Sequence, residues 1–223
     1  MFETGEVHIW RLGLEQSDET IQRFRQTLAN EEVSRADRFH FEKDRRAFVV
    51  ARGFLREVIG RYAQTKPEML RFAYGAYGKP GLDGSRLRFN LSHSHQLGLI
   101  AVTQDNELGV DVEYMRAGFA TADIARRFFS PREVEAFNAL PSEERVAAFF
   151  RCWTRKEAFI KAIGKGLSQP LDGFDVTLGP TAALLRADEA DTTRWSLLDL
   201  AVDEGYSAAL AMEGTISKIQ IHE

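Results

Sequence analysis

The chain has 223 residues, 44% hydrophobic and 28% charged, with 16 phenylalanines, which is enough apolar material for a sizeable core and excludes a disordered chain. A formal charge of −4 and a pI near 5.8 argue against a dedicated nucleic-acid or anionic-membrane binder. One cysteine, Cys152, excludes an intramolecular disulfide and a multi-cysteine zinc site, and without a membrane-length apolar run or a signal-peptide pattern in MFETGEVHIWRL the chain reads as soluble and cytoplasmic.

In chain order, Val7 to Leu12 alternates like a strand. From Asn30 to about Ala63 charged and apolar residues keep a helical period, predicting a long arginine-rich helix. Its Arg35, Arg38, Arg45, Arg46, Arg52 and Arg56 span several faces, so most must be solvated or paired with Glu31, Glu32, Glu42 and Asp44. Gly75, Gly78, Pro80, Gly81 and Gly84 mark turns. Leu87 to Val102 reads as two strands interrupted by Ser92-His93-Ser94-His95, and Leu108 to Tyr114 as the next strand. Ser130-Pro131-Arg132-Glu133 is a capping box with proline at the first helical position. Another helix begins at Pro141-Ser142 and runs through Trp153 and Lys161 to a stop at Gly164–Gly166. FDVTL, WSLLDL, YSAALAM and KIQIH then read as strands. Each half thus carries a long helical stretch, glycine and Gly-Lys punctuation, and hairpin-like strands. This predicts an α+β (α/β) fold: a pseudo-twofold pair of similar lobes, residues 1–103 and 104–223, each a small sheet packed on a long helix, with a ligand cleft between them.

Two segments carry the chemistry. In Gly109-Val110-Asp111-Val112-Glu113, strand alternation puts both carboxylates on one face. In Trp153-Thr154-Arg155-Lys156-Glu157-Ala158-Phe159-Ile160-Lys161, helical spacing stacks Trp153, Glu157 and Lys161. Three acids and a lysine suit a hard divalent cation that also touches phosphate, since Mg²⁺ typically takes one or two protein carboxylates, waters and phosphate oxygens. A solvated strand edge and an ordinary Glu–Lys helix pair account for the same residues when they are taken alone. Gly78-Lys79-Pro80 could aim an ammonium at a phosphate, or be a surface turn; it is not a Walker A loop. Phe89-Asn90-Leu91-Ser92-His93-Ser94-His95 could bind a phosphate or a sugar hydroxyl, or be a polar loop.

Together GKP, FNLSH, GVDVE, FFSPREVEAF and WTRKEAFIKAIGKGL resemble, in order and spacing, the Sfp-type 4′-phosphopantetheinyl transferases, from about Glu31 to Asp175. The resemblance implies transfer of phosphopantetheine from coenzyme A to a serine of an apo acyl or peptidyl carrier protein, leaving adenosine 3′,5′-bisphosphate. It implies two α/β lobes with coenzyme A in the cleft. Matched to the family pattern, Asp111, Glu113 and Glu157 are the Mg²⁺ ligands and Lys161 the pyrophosphate contact. Ser92 and His93 meet the coenzyme A phosphates, His93 the 3′-phosphate with Arg35. Lys79 and Pro80 lie along the nucleotide, and Asn90 and Leu91 line it through their backbone. Glu31 and Glu32, ahead of Arg35, depart from the more basic forms of the family. Glu157, or Glu113 with it, is the candidate general base, and Lys161 completes the catalytic set. An apolar patch of Phe119, Phe128 and Phe129 is the expected carrier docking surface on a monomer. The rival readings are a Mg²⁺-dependent sugar-nucleotide transferase built on Asp111 and Glu113, and a catalytically silent coenzyme A or nucleotide-binding module.

Overall fold

The computed structural model describes residues 2–166, 169–188 and 190–223; Leu167, last in the WTRKEAFIKAIGKGL stretch, lies outside the described residues. The chain passes through one series of elements twice. Strand β1 (Glu6–Gly13) leads to helices α1 (Asp18–Thr27), α2 (Asn30–Ala36) and α3 (Glu42–Ala63), then to the ribbon β2 (Phe72–Tyr74) and β3 (Pro80–Leu82), and to the hairpin β4 (Leu87–Ser94) and β5 (Leu97–Gln104). Strand β6 (Leu108–Tyr114) leads to α4 (Ala122–Phe128), α5 (Pro131–Ala139) and α6 (Ser142–Ile163), then to the ribbon β7 (Phe174–Val176) and β8 (Leu184–Ala187), and to β9 (Trp195–Asp199) and β10 (Tyr206–Glu213).

Pairing repeats with the elements. β5 lies between β1 and β4, as β10 lies between β6 and β9, and all these pairs are antiparallel. The two long helices, α3 and α6, are each 22 residues. The expected α+β pair of similar units is therefore the fold. One strand breaks the symmetry. β11 (Lys218–His222) pairs in parallel with β1, so residues assigned by position to 104–223 form the edge of the first sheet.

Several local expectations change. The helix read from Asn30 to Ala63 is two helices, because the chain folds back at Asp37–Phe41 to set Phe39 against Phe48 and the Arg35 guanidinium over the same ring. Charged and apolar periodicity continues on both sides of that break, so pattern alone cannot show it. α1 and β8 carried no reading from sequence. Ser92 and His93 do not interrupt a strand; they belong to β4, and the hairpin turns at His95, whose φ is 53°. The capping box closes as expected, with Ser130 accepting from the Glu133 amide and Glu133 accepting from the Ser130 amide. Gly164 ends α6 in the left-handed region at φ 69°.

The two sheets bury one apolar layer between them, with Val7, Ile9, Leu99 and Ala101 against Val110, Val112, Leu210 and Met212. They share no backbone ladder. Instead Asn90, Ser92 and Ser94, alternating along β4, accept hydrogen bonds from the Val110, Val112 and Tyr114 amides at 2.9, 3.4 and 3.1 Å. Lys79 donates to the Leu108 carbonyl at 3.0 Å. The outer edge of β6 is thereby satisfied by side chains.

α6 is fixed by two ion pairs, of which one is buried. Lys156, fully buried, donates to Glu133 at 2.7 Å and to the Phe174 carbonyl at 2.5 Å, and Arg155 forks onto Asp199 at 2.8 and 2.5 Å. It also approaches β6 closely: a Cβ on Gly109 would lie 2.2 Å from the Ala158 carbonyl oxygen and 2.3 Å from the Ala162 amide. Glycine is required there by packing. Gly109→Ala should lower the unfolding free energy by about 1–3 kcal/mol, measured by urea denaturation; a gain of the ~0.4–1 kcal/mol that Gly→Ala yields where space permits would refute the account.

Candidate active site

With Gly109, Asp111 and Glu113 on the β6 face that α6 crosses, the close approach at Gly109 brings helix and strand side chains together. Lys161 donates to Asp111 Oδ1 at 2.6 Å and to the Ser92 hydroxyl at 2.9 Å. Ser92 donates to the same Asp111 oxygen at 2.8 Å, and Ser94 donates to Glu113 Oε2 at 2.7 Å. Glu157, one turn before Lys161, completes the group. Burial raises the pKa of Glu157, and the charges of Asp111 and Glu113 raise it further. Burial likewise raises that of Glu113, with Asp111 adding to the effect while Ser94 opposes it. Like charges crowded into a half-buried site are a cost that only a cation or a proton relieves.

The donor set fits Mg²⁺. Asp111 is 3% exposed and its Oδ2, buried, has no hydrogen-bond partner among the described residues. The other two donors are hard carboxylates coupled to it electrostatically. Among the described residues no three acid, histidine or cysteine side chains are gathered tightly enough to hold a metal unaided.

A cleft of about 390 Å³ opens on the α2–α3 side of β4, lined by Arg35, Arg38, Arg52, Pro80, Leu91 and His93, with Phe48, Tyr74 and Gly78 among its other walls. Glu31 and Glu32 are on its wall too, Glu32 buried and paired with Arg52 and Arg56 at 2.5 and 2.6 Å. Glu32 is thus held in a scaffold pair, and of the arginines read from sequence as able in one or two cases to reach an anion, Arg38 and Arg52 join Arg35 on the cleft wall. The enclosing protein, and then the Lys161 ammonium, lower the His93 pKa, although its side chain reaches solvent. A wider groove of about 1040 Å³, near Arg11, Arg61 and Tyr206, includes none of these residues.

Several of the expected contact residues have protein partners in the structure. The Lys79 ammonium is turned from the cleft onto Glu107, the Leu108 carbonyl and the Ala162 carbonyl at 2.7, 3.0 and 2.8 Å, and an ammonium has three donors. It ties the end of α6 to β6. Ser92 faces the acids, with its hydroxyl engaged by Asp111, Lys161 and the Val112 amide, and Asn90 turns its side chain to β6. Phe129 is core at 3% exposure, and Phe119 and Phe128 are half-buried edge-on to Trp153. Pro80, Leu91, Arg35 and His93 line one cleft; Asp111, Glu113, Glu157 and Lys161 form the neighbouring site.

A sequence profile of the 4′-phosphopantetheinyl transferase superfamily matches residues 107–211, and one of the 4′-phosphopantetheinyl transferase N-terminal region matches residues 15–105. The 4′-phosphopantetheinyl transferase HetI of a Nostoc species is 42% identical over 216 residues, covering 95% of this chain and 89% of that protein. The chain belongs to the 4′-phosphopantetheinyl transferase superfamily. The Sfp transferase of Bacillus subtilis is 34% identical, covering 73% of this transferase and 71% of its own length. A crystal structure of Thermotoga maritima holo-[acyl-carrier-protein] synthase aligns with 49% of the transferase chain and 63% of its own, at TM-score 0.39 and 19% identity. Among the described residues no helix is long and apolar enough to cross a membrane.

The crowded acids of this phosphopantetheinyl transferase have a consequence for stability. Because Glu157 titrates above the ordinary value of 4.5, the folded state holds its proton longer than the unfolded state does. The cost is absent below that value and develops as pH rises through the folded pKa. Glu157→Gln should therefore raise the melting temperature at pH 7.5 by roughly 2–4 °C, equivalent to about 1 kcal/mol. The gain should vanish near pH 4. Calorimetry across that range checks it, and a lower melting temperature at pH 7.5 would refute it.

Proposed function

We propose that the enzyme moves the 4′-phosphopantetheine arm of coenzyme A onto a serine of an apo acyl carrier or peptidyl carrier protein, releasing adenosine 3′,5′-bisphosphate. The observation that carries this reading is an arginine- and histidine-lined cleft beside a group of three acids and a lysine, with β4 contributing to both. Coenzyme A has a phosphate at one end of its nucleotide and a pyrophosphate at the other, and so matches both parts. Arg35 and His93 take the 3′-phosphate, with Arg38 and Arg52 near it, while Pro80 and the Leu91 backbone line the nucleotide. Lys161 offers the pyrophosphate a donor beyond the two given to Asp111 and Ser92. Lys79 has no donor left for a phosphate and serves the scaffold.

Asp111, Glu113 and Glu157 would hold Mg²⁺, which when bound neutralises charge on pyrophosphate oxygens. Glu157, or Glu113 with it, takes the proton from the carrier serine hydroxyl. The serine oxygen bonds to the phosphorus next to pantetheine, and the bond from that phosphorus to the oxygen on the adenosine side breaks. That oxygen leaves with its electron pair beside Lys161. Both repeats lie in one chain, supporting a monomer, and a single buried thiol suits the reducing cytoplasm.

The test is to incubate the protein with coenzyme A, Mg²⁺ and an apo carrier, and to look by mass spectrometry for the phosphopantetheine adduct. The adduct should form, disappear with EDTA, and fall by about 10²-fold or more with Glu157→Gln. Failure with several carriers would overturn the reading. A nucleotide-sugar requirement would favour a sugar-nucleotide transferase, and coenzyme A binding without turnover a silent binding module. In proton NMR, coenzyme A should raise the pKa of His93 because a phosphate favours the imidazolium, whereas dephospho-coenzyme A, lacking the 3′-phosphate, should leave it in place. Equal shifts with both ligands would remove His93 from the 3′-phosphate.

A further inference from the structure

β6 is an edge strand of its sheet. Its odd-numbered residues exchange backbone hydrogen bonds with β10, as the Met115 amide does with Gly205 O just beyond the strand, which leaves the even-numbered amides facing outward. The amides of Val110, Val112 and Tyr114 would be unmatched in a partly buried seam, at about 1–3 kcal/mol each. β4 meets them with Asn90, Ser92 and Ser94 at a constant separation of 20 residues.

The two serine rungs differ from the asparagine rung in what they do next. A hydroxyl has one proton and two lone pairs. In Ser94 a lone pair accepts from the Tyr114 amide at 3.1 Å, and the proton goes to Glu113 Oε2 at 2.7 Å. In Ser92 the lone pairs take the Val112 amide and the Lys161 ammonium, and the proton goes to Asp111 Oδ1. Each hydroxyl therefore reads the position of the β6 backbone with one side and fixes a carboxylate on the same strand with the other. Asp111 is additionally clamped by Lys161. Among the described residues Glu113 has only the Ser94 hydroxyl as a hydrogen-bond partner.

We infer that Ser94 is a positioning residue for Glu113, holding this carboxylate in the orientation that receives the cation while it locks β6 to β4. The inference rests on the proposal that Asp111, Glu113 and Glu157 hold Mg²⁺. Groups that hydrogen-bond a metal ligand are worth about 10–100-fold in metal affinity or activity. A residue with a merely structural role would change stability and leave metal affinity where it was.

The experiment measures Mn²⁺ binding to the full-length protein by electron paramagnetic resonance, in place of Mg²⁺ and without turnover, beside thermal melting. Ser94→Ala should weaken Mn²⁺ binding about tenfold or more. Ser94→Cys, whose thiol is a weak donor, should weaken it similarly if the alanine variant does not fold. Ser94→Thr, which keeps the hydroxyl, should bind as the unaltered protein does. Steady-state assays should place the same loss in kcat and in the Mg²⁺ needed for half activity, with the KM for the carrier unchanged. Undiminished Mn²⁺ affinity in Ser94→Ala or Ser94→Cys, with Glu113→Gln impaired, would overturn the inference and leave the metal site standing. Equal, negligible Mn²⁺ binding by the unaltered protein and by Glu113→Gln would overturn the metal reading itself and this inference with it.

Discussion

An exposed strand edge has to be satisfied, and in this molecule the edge of β6 is satisfied by side chains of β4 instead of a backbone ladder. The rest of the molecule is shaped by that choice. A backbone ladder would have merged the two sheets and turned the side chains of β4 and β6 out of the seam. Polar rungs keep the sheets separate and leave hydroxyl protons to spare. Those protons fall on Asp111 and Glu113, the acids that α6 is brought to meet. Chemistry and assembly thus share atoms, and the seam between the repeats is where the charged residues gather.

α6 must sit within a narrow tolerance for this to work. Gly109 lets its backbone touch β6, and one buried and one part-exposed ion pair hold it from the far side. Lys156 with Glu133 and Arg155 with Asp199 tie it to α5, β7 and β9. A buried pair contributes little net stability but is costly to break, so it selects one arrangement over its neighbours. The tryptophan-to-lysine motif therefore divides by helix face. Trp153 packs among aromatic rings, Lys156 is scaffold, and Glu157 and Lys161 face the site.

The site itself runs against stability. Two glutamates with raised pKa and a buried aspartate oxygen without a partner among the described residues form a local debt in the folded protein. An environment of that kind is poised for a cation and for proton transfer, because bringing either one in relieves the repulsion. The cleft on the other side of β4 has the opposite sign of need. Its arginines and His93 call for an anion, and Glu32, buried beneath Arg52 and Arg56, keeps those two arginine side chains in place.

The strands at Val7, Leu87, Leu108 and Tyr206, the Ser130 capping box, the Gly164 stop and the duplicated order of elements were all determined by local pattern. Those signals live in period, caps and turns, which a sequence displays directly. Strand and helix periods put Asp111 with Glu113 and Glu157 with Lys161, but only the family resemblance joined the two pairs into one expected site. Tertiary structure alone decided the rest: the fold-back at Asp37–Phe41, the return of β11 to β1, the burial of Phe129, and which lysine meets the acids of β6. Lys79 and Lys161 look alike in sequence, each beside glycine or a helix end. Only the fold sends one ammonium onto three scaffold acceptors and the other onto Asp111. A long flexible cation takes whatever acceptors packing brings within reach, and that is a property of the assembled molecule.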